Sequence, residues 1–448
     1  MRPNPSRRRI TVVALLVCLV AAPGIGGATV EANQLAAVES TTTVSSCTTI
    51  TSSGTYELTR NLRDRGDDVC IEIRADDVTF DGNGHWIEGE SRDRTSGIFV
   101  KDAEDVTVED VRVREWATGI EVEFDSRDVE LVANRVVENS RAGIYVSEVG
   151  AVEISDTYAG QNGNGIELED SSAERIEDNE LADNRENGLY LLDTNVEHVA
   201  DNEIHDNGGH GIQTSDLGAD ISGNEVYDND DAGIYVSASN NDRDRTISGN
   251  EVYDNGAEGI TVRDIAGTEV SDNEVYDNDG DGIYLVDFRD GEVTANEAWK
   301  NGDDGVHLYG ESRGSFDADG NEFEDNVLHD NADDGLFVEN ASENELLDNE
   351  FDDNGDSGAL LKYTSDNVLE GNDLDENGDD GLRMYDADDT DVEENRLREN
   401  DDDGIDLDRS DDNEFDDNLI CGNGDKQVAE SSDSNDNEFD DNDVSKRC

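Results

Sequence analysis

Nine ring-bearing residues recur at regular positions in the middle of this chain: Tyr190, His205, Tyr227, Tyr235, Tyr253, Tyr276, Tyr284, Trp299 and His307. They belong to two series. One series (Phe99, Tyr145, Tyr190, Tyr235, Tyr284, His307, Phe337) lies two residues after a recurring glycine. The other (His205, Tyr227, Tyr253, Tyr276, Trp299, His329) closes units of the Asn-Glu-Val-Tyr kind. Rings spaced this way beside carboxylates offer flat apolar faces with polar edges, a surface suited to stacking the sugar rings of an extended chain. Ladders of like side chains also stabilise parallel sheets by cross-strand packing. A purely structural ladder should run the full length, whereas both series concentrate in residues 190–330. That favours binding.

A second candidate is a cation site. Asp277-Asn278-Asp279-Gly280-Asp281-Gly282 matches the start of a calcium loop, in which the alternating carboxylates Asp277, Asp279 and Asp281 converge on one ion. The match then fails, because Phe288 stands where the bidentate glutamate belongs. Similar acidic runs at 303–305, 379–381 and 401–404 fall at the same point of the repeat. An acidic solvated turn explains them more economically. Calcium is the one cofactor these residues suggest.

The elements that must hold these residues follow from the repeat itself. A glycine followed by an apolar residue recurs at Gly97, Gly119, Gly143, Gly165, Gly188, Gly211, Gly233, Gly259, Gly282, Gly305, Gly335, Gly358, Gly381 and Gly404. Most spacings are 22 to 24 residues, and two longer ones read as loop insertions at 240–245 and near 311–320. Within a repeat, Gly282-Ile283-Tyr284-Leu285 alternates inward and outward side chains, as a strand does. Asn224-Glu225-Val226-Tyr227 and Ala219-Asp220-Ile221-Ser222 supply two further short strands. Three such strands cannot bury an apolar face alone, and stacked coils can. The sequence therefore predicts an all-β fold, a parallel β-helix of about fourteen coils. At about 4.8 Å per coil the rod is roughly 67 Å long. Stacking also aligns the turn residues Asn207, Asn229, Asn255, Asn278 and Asn301 in a column, where side-chain amides can satisfy one another. A leucine-rich repeat would need a helix or its own consensus, and neither is present.

The two ends carry the cysteines. Cys47 and Cys70 lie one coil apart, and so do Cys421 and Cys448. Each pair is expected to bridge adjacent coils, closing a loop worth about 3 kcal/mol in the chain-entropy view. A metal site of four thiolates is the weaker alternative, since the whole rod separates the pairs.

The first residues read as an export signal over 1–28. Arg7, Arg8 and Arg9 precede an apolar run from Ile10 to Ala22 and a small-residue stretch near Gly27 and Ala28. The run is too short for a membrane span, and Ser6-Arg7-Arg8-Arg9-Ile10 resembles a twin-arginine signal. The expected sequel is a flexible linker over 29–46, an N-terminal cap and first coil over 47–96, repeats over 97–420, and a closing coil and cap over 421–448. The product is expected to be secreted, without a transmembrane segment, and monomeric.

Asp and Glu total 115 against 32 Lys plus Arg, a net charge of -83. Such a charge suits a folded protein in concentrated salt, where screening removes self-repulsion. It argues against nucleic acid as a partner, because no basic patch is present to neutralise phosphates.

Val78-Thr79-Phe80-Asp81-Gly82-Asn83-Gly84-His85, with the Gly-Ile and Asn-Glu-Val units that follow, resembles the right-handed parallel β-helix repeat proteins. The likeness is to the NosD-like, carbohydrate-binding and sugar-hydrolase group, and the composition resembles secreted proteins of halophilic archaea. It spans nearly all of residues 47–448 and implies the fold more sharply than the activity, since the group holds lyases, hydrolases, epimerases, binding proteins and adhesins.

Specific activities within that group leave uneven traces. Gly209-His210-Gly211 resembles one polygalacturonase motif, but the paired aspartates and the Arg-Ile-Lys of those enzymes are absent. Pectate-lyase chemistry would have to use an arginine such as Arg263, Arg289 or Arg383. His307 beside Tyr284 resembles the His/Tyr pair of uronate lyases and epimerases, without the epimerase Asp-Pro-His-Asp. Copper delivery, which the NosD likeness implies, lacks clustered His and Met ligands: the six histidines are scattered, and Met384 is the only methionine beyond Met1. The expectation is a protein that binds polysaccharide or cell-envelope glycan along the aromatic face. A lyase, hydrolase or epimerase of uronate polymers is the alternative, and a structural surface rod the third. Whether the chain is an enzyme stays open at this level.

Overall fold

The computed structural model describes residues 41–448 apart from 64–65, 216–218, 238–244 and 312–317. The export signal expected over 1–28 and most of the 29–46 linker lie outside them, as do most of the two expected insertions. The last part of that linker is not linker: Thr42–Val44 is already a strand, paired in parallel with Gly54–Leu58.

The described chain is a right-handed solenoid of three parallel sheets. In one coil, Ile283–Val286 belongs to sheet 1, Glu292–Thr294 to sheet 2 and Glu297–Trp299 to sheet 3. The next coil repeats this order with Val306–Tyr309, Glu322–Glu324 and Val327–His329, each pairing with its predecessor. Ile283, Leu285, Val293 and Ala298 point inward and are wholly buried, and their counterparts are buried along the rod up to the last coil, where Phe439 and Val444 are exposed. One apolar core thus runs continuously through the stack, because no coil has enough inward side chains to close on itself.

The rod has about 17 coils, not fourteen. The fourteen glycine signatures count only coils beginning at Ser96–Lys101 through Ile405–Asp408. Two coils precede them and one follows, so 47–96 holds two coils instead of one. The glycine column exists because a Cβ there would strike the next coil. At Gly282 it would lie 2.6 Å from the Gly305 carbonyl oxygen and 2.7 Å from Asn301 Nδ2. In the uncounted coils the register puts Cys47, Cys70 and Gln427 in that column.

Asparagine ladders lock the turns. Asn207 Nδ2 donates to Asn229 Oδ1 at 2.9 Å and to the Leu181 carbonyl at 3.0 Å, and its backbone N–H donates to the same Asn229 Oδ1. The predicted column runs beyond its five expected members, from Asn139 to Asn423. A second ladder follows sheet 2, including Asn202, Asn224, Asn250 and Asn273, and a third begins at Asn321 and Asn344. The residue before each ladder position often has a left-handed backbone, as at Asp206, Asp228, Asp254 and Asp277. Asp and Asn tolerate that conformation best among residues with a side chain.

Both disulfides form between adjacent coils, with Cα–Cα distances of 4.4 Å for Cys47–Cys70 and 5.3 Å for Cys421–Cys448. Among the described residues, no helix is long and apolar enough to cross a membrane.

Candidate functional site

The two aromatic series face outward on different sheets, and the structure treats them differently. On sheet 3, His205, Tyr227, Tyr253, Tyr276, Trp299 and His329 occupy consecutive rungs. Their rings stack nearly parallel. Centroids are 4.8 Å apart for His205–Tyr227, 5.0 Å for Tyr227–Tyr253, 4.9 Å for Tyr253–Tyr276 and 4.4 Å for Tyr276–Trp299. Each ring face inside the ladder therefore meets another ring, and solvent meets ring edges.

A glutamate ladder runs beside these rings: Glu180, Glu203, Glu225, Glu251, Glu274 and Glu297. Each tyrosine reaches back one rung to it. Tyr227 donates to Glu203 at 2.9 Å, Tyr253 to Glu225 at 2.9 Å and Tyr276 to Glu251 at 2.8 Å. Partial burial, with the hydrogen bond to a carboxylate, holds all three phenols above their usual range.

On sheet 1 the outward column reads Tyr145, Glu167, Tyr190, Gln213, Tyr235, Thr261, Tyr284, His307, Phe337. Aromatic and smaller polar residues alternate up to Tyr284, so the rings do not form one continuous stack. A cleft of ≈ 520 Å³ opens here, lined by Arg141, Asn164, Glu167, Asn187, Tyr190 and Gln213 among others. Its polar groups are braced against one another. Arg141 lies 3.1 Å from Glu167 and 3.7 Å from the centre of the Tyr145 ring. Asn164 donates to Glu167 at 3.1 Å, and Asn187 donates to Gln213 at 3.0 Å. His210 follows along the same turn, stacked on Tyr235 at 4.9 Å, and burial pushes its imidazole below the usual range.

Further along sheet 1, Tyr284 and His307 meet on adjacent rungs, 5.0 Å between centroids and tilted by 51°. His307 Nδ1 lies 3.4 Å from Asp281 and 3.6 Å from Asp304, and both carboxylates are buried. Asp281 and Asp304 belong to a column one residue before the repeat glycine. Each passes an oxygen to the next coil: Asp304 N–H donates to Asp281 at 3.0 Å, Asp334 N–H to Asp304 at 2.9 Å, and Ser357 N–H to Asp334 at 2.8 Å. Burial first, then neighbouring carboxylates, pushes Asp304 up to about 9.

Of the expected calcium ligands, Asp281 joins the His307 group, while Asp277 and Asp279 are exposed turn residues. Asp277 holds the left-handed turn position before Asn278. Among the described residues, the groups whose ligand atoms approach one another are Asp281–Asp304–His307, Asp379–Asp380–Asp402 and Asp402–Asp403–Asp425. Met384 is fully buried in the core.

Arg141, Asn164, Glu167, Asn187 and Gln213 were not singled out from the sequence, and Asp304 entered there only as part of the acidic run at 303–305. A signal existed: from Asn164 onward the position before the repeat glycine reads Asn164, Asn187, His210, Ala232, Glu258, Asp281, Asp304, Asp334, Ser357, Asp380 and Asp403, mostly residues able to accept a bond from the next coil.

Among solved structures, the A-module of Azotobacter vinelandii mannuronan C-5 epimerase AlgE4 is similar at 15% identity, covering 88% of this chain and 91% of that one, with a TM-score of 0.37. The periplasmic alginate epimerase AlgG is similar at 16% identity, covering 67% of this chain and 77% of that one, with a TM-score of 0.43. The Dettilon tailspike protein is similar at 14% identity, with 75% and 59% covered and a TM-score of 0.40. No curated protein matches the sequence. The family model described as the right handed beta helix region matches residues 96–243, 221–318 and 304–444. Those matches span most of the solenoid, and the chain belongs to the right-handed β-helix family.

Proposed function

We propose that this is a secreted glycan-binding protein that lays an extended, uncharged polysaccharide along the outward face of sheet 1. The observation that carries this reading is the cleft between Arg141 and Gln213, where amides and a carboxylate converge beside the Tyr190 ring. Convergent polar groups next to an aromatic wall are what a sugar needs, since its hydroxyls want bonds and its C–H face wants an apolar surface. Tyr235, Tyr284 and His307 continue the same column, giving a track along which a chain can lie.

Charge narrows the ligand. A net charge of -83 repels a uronate polymer at low salt; in concentrated salt that repulsion is screened, and what still disfavours a carboxylate is that Arg141 of the cleft is already paired with Glu167. An uncharged polymer escapes that penalty. Two disulfides support an oxidising location, and the acidity supports a secreted home in concentrated salt. We place the chain with the NosD-like, carbohydrate-binding and sugar-hydrolase group of halophilic archaea on those grounds, and take it to be a monomer.

Retention on insoluble glycans tests the binding reading. Wild type should be retained by at least one neutral glycan among cellulose, mannan, xylan and β-glucan. Tyr190→Ala with Asn187→Ala should abolish that retention, while Tyr253→Ala on sheet 3 leaves it intact. Retention unaffected by the sheet 1 changes would sink the assignment.

One observation favours a second reading, catalysis on a glycan. Asp304, pushed up to about 9 by burial, sits beside His307, whose ring meets Tyr284, and a protonated carboxyl is the form a general acid requires. Shortened or unsaturated products from a panel of neutral and uronate polymers, lost in His307→Ala, would support it.

A further inference from the structure

The ladder on sheet 3 combines two features not needed for holding a sugar. Its rings overlap almost face to face from His205 to Trp299, and each of its three phenols is hydrogen-bonded to its own carboxylate. A phenol that loses an electron becomes a strong acid, so its oxidation is easy only where a base takes the proton at once. Glu203, Glu225 and Glu251 stand at 2.8–2.9 Å, within the reach required for direct proton transfer.

We propose that this ladder is a relay for oxidising equivalents, in which an electron vacancy created by a diffusible one-electron oxidant, such as an inorganic radical, moves between Trp299, Tyr276, Tyr253 and Tyr227. The oxidant gains one electron and becomes its anion. At Trp299 the indole loses that electron, and Tyr276, 4.4 Å away, refills it. As Tyr276 gives up the electron its O–H bond breaks and the proton passes to Glu251. When Tyr253 refills Tyr276 in turn, the proton returns from Glu251 to the Tyr276 oxygen, and the Tyr253 proton passes to Glu225. The same exchange carries the vacancy to Tyr227 and Glu203. Each step moves one electron and leaves one proton displaced by a single hydrogen bond. The vacancy ends on the last phenol until an external reductant fills it. The relay keeps oxidation on the outer surface, on the opposite side of the sheet 3 backbone from the buried core residues Val226, Val252 and Val275.

Pulse radiolysis with azide radicals, which oxidise tryptophan in preference to tyrosine, tests the relay on the whole protein. Wild type should show a tryptophan radical decaying as a tyrosyl radical grows, at a rate independent of protein concentration. Tyr276→Phe keeps a ring in the stack but removes the acceptor, and should abolish this phase. Glu251→Gln should slow it by on the order of tenfold or more, because the proton loses its base. Tyr190→Phe on sheet 1 should leave it unchanged, and circular dichroism checks that each variant is folded. A phase that survives in Trp299→Phe or Tyr276→Phe, or that is absent from wild type, overturns the proposal.

Discussion

The Asp304 carboxylate lies 3.6 Å from Nδ1 of His307, buried, while its other oxygen takes the backbone N–H of Asp334 at 2.9 Å. One carboxyl group therefore serves both the stacking of coils and the polar group at the surface. Its proton affinity makes that dual role measurable. Folded Asp304 is pushed up to about 9, whereas an unfolded aspartate titrates near about 3.9. Between those values the folded state holds a proton that the unfolded state lacks, so stability falls as pH rises. The contribution is complete below about pH 4 and is lost as pH passes about 9. Asp304→Asn keeps the acceptor for Asp334 and removes the titration. Melting curves from about pH 5 to about pH 9 should show the variant gaining on wild type as pH rises. A constant difference across that range would mean that Asp304 is ionised in the fold.

Asn255→Leu should be severely destabilising. Its amide donates to Asn278 at 3.0 Å, and its oxygen accepts from both the Asn229 amide at 3.0 Å and the Asn229 backbone at 3.2 Å. Leucine leaves those buried groups unpaired at a cost of roughly 2–4 kcal/mol. Denaturant titration should show a lower midpoint, and a midpoint equal to that of wild type would mean that water replaces the amide.

Gly282→Ala tests the close approach between coils. The added methyl would lie 2.6 Å from the Gly305 carbonyl, which is backbone and cannot swing aside. Overpacking of this kind costs about 1–3 kcal/mol. Gly249→Ala is a useful contrast: there no atom lies within 4 Å of the added carbon, and the left-handed backbone supplies the strain instead. Amide exchange should therefore show protection lost across both coils 282 and 305 in the first variant and only at the local turn in the second.

Tyr253→Phe and Tyr253→Ala separate the ladder's two interactions. Phenylalanine loses only the bond to Glu225, worth about 0.5–1.5 kcal/mol at most at this half-exposed site. Alanine also removes two stacked contacts, each worth about 0.5–1.5 kcal/mol. Thermal unfolding should rank wild type, Phe and Ala in that order. Equal stability of the two variants would show that the stacking contributes nothing.

The solenoid was legible because its periodicity is a packing requirement: where coils press together only glycine fits, and it marks the same place each time. The reading failed where that pressure is absent. The asparagine ladder at this turn starts at Asn139, so Cys47 and Cys70 lie before it, and Gln427 belongs to the last coil. The ring spacing was legible too, but not the ring planes. A rung of about 4.8 Å accommodates rings that face solvent or rings that face one another, and a side-chain torsion decides between them. Arg141, Asn164 and Gln213 were hidden for a different reason. A polar residue at a turn or on the outer face of a strand reads as solvated, and only the fold shows that side chains from four successive coils open onto one cleft.

The asparagine spine also separates length from alignment. Asn250 and Asn273 pair across 23 residues, Asn224 and Asn250 across 26, and Asn296 and Asn326 across 30, all at 2.9–3.0 Å. In both longer coils the extra residues enter between sheet 1 and sheet 2, between Ile234–Ser237 and Thr246–Ser248 and between Val306–Tyr309 and Glu322–Glu324. That corner acts as a free margin in an otherwise ruled page. New sequence can be written there, coil by coil, along the border of the sheet 1 face, without disturbing a line of the text on either side.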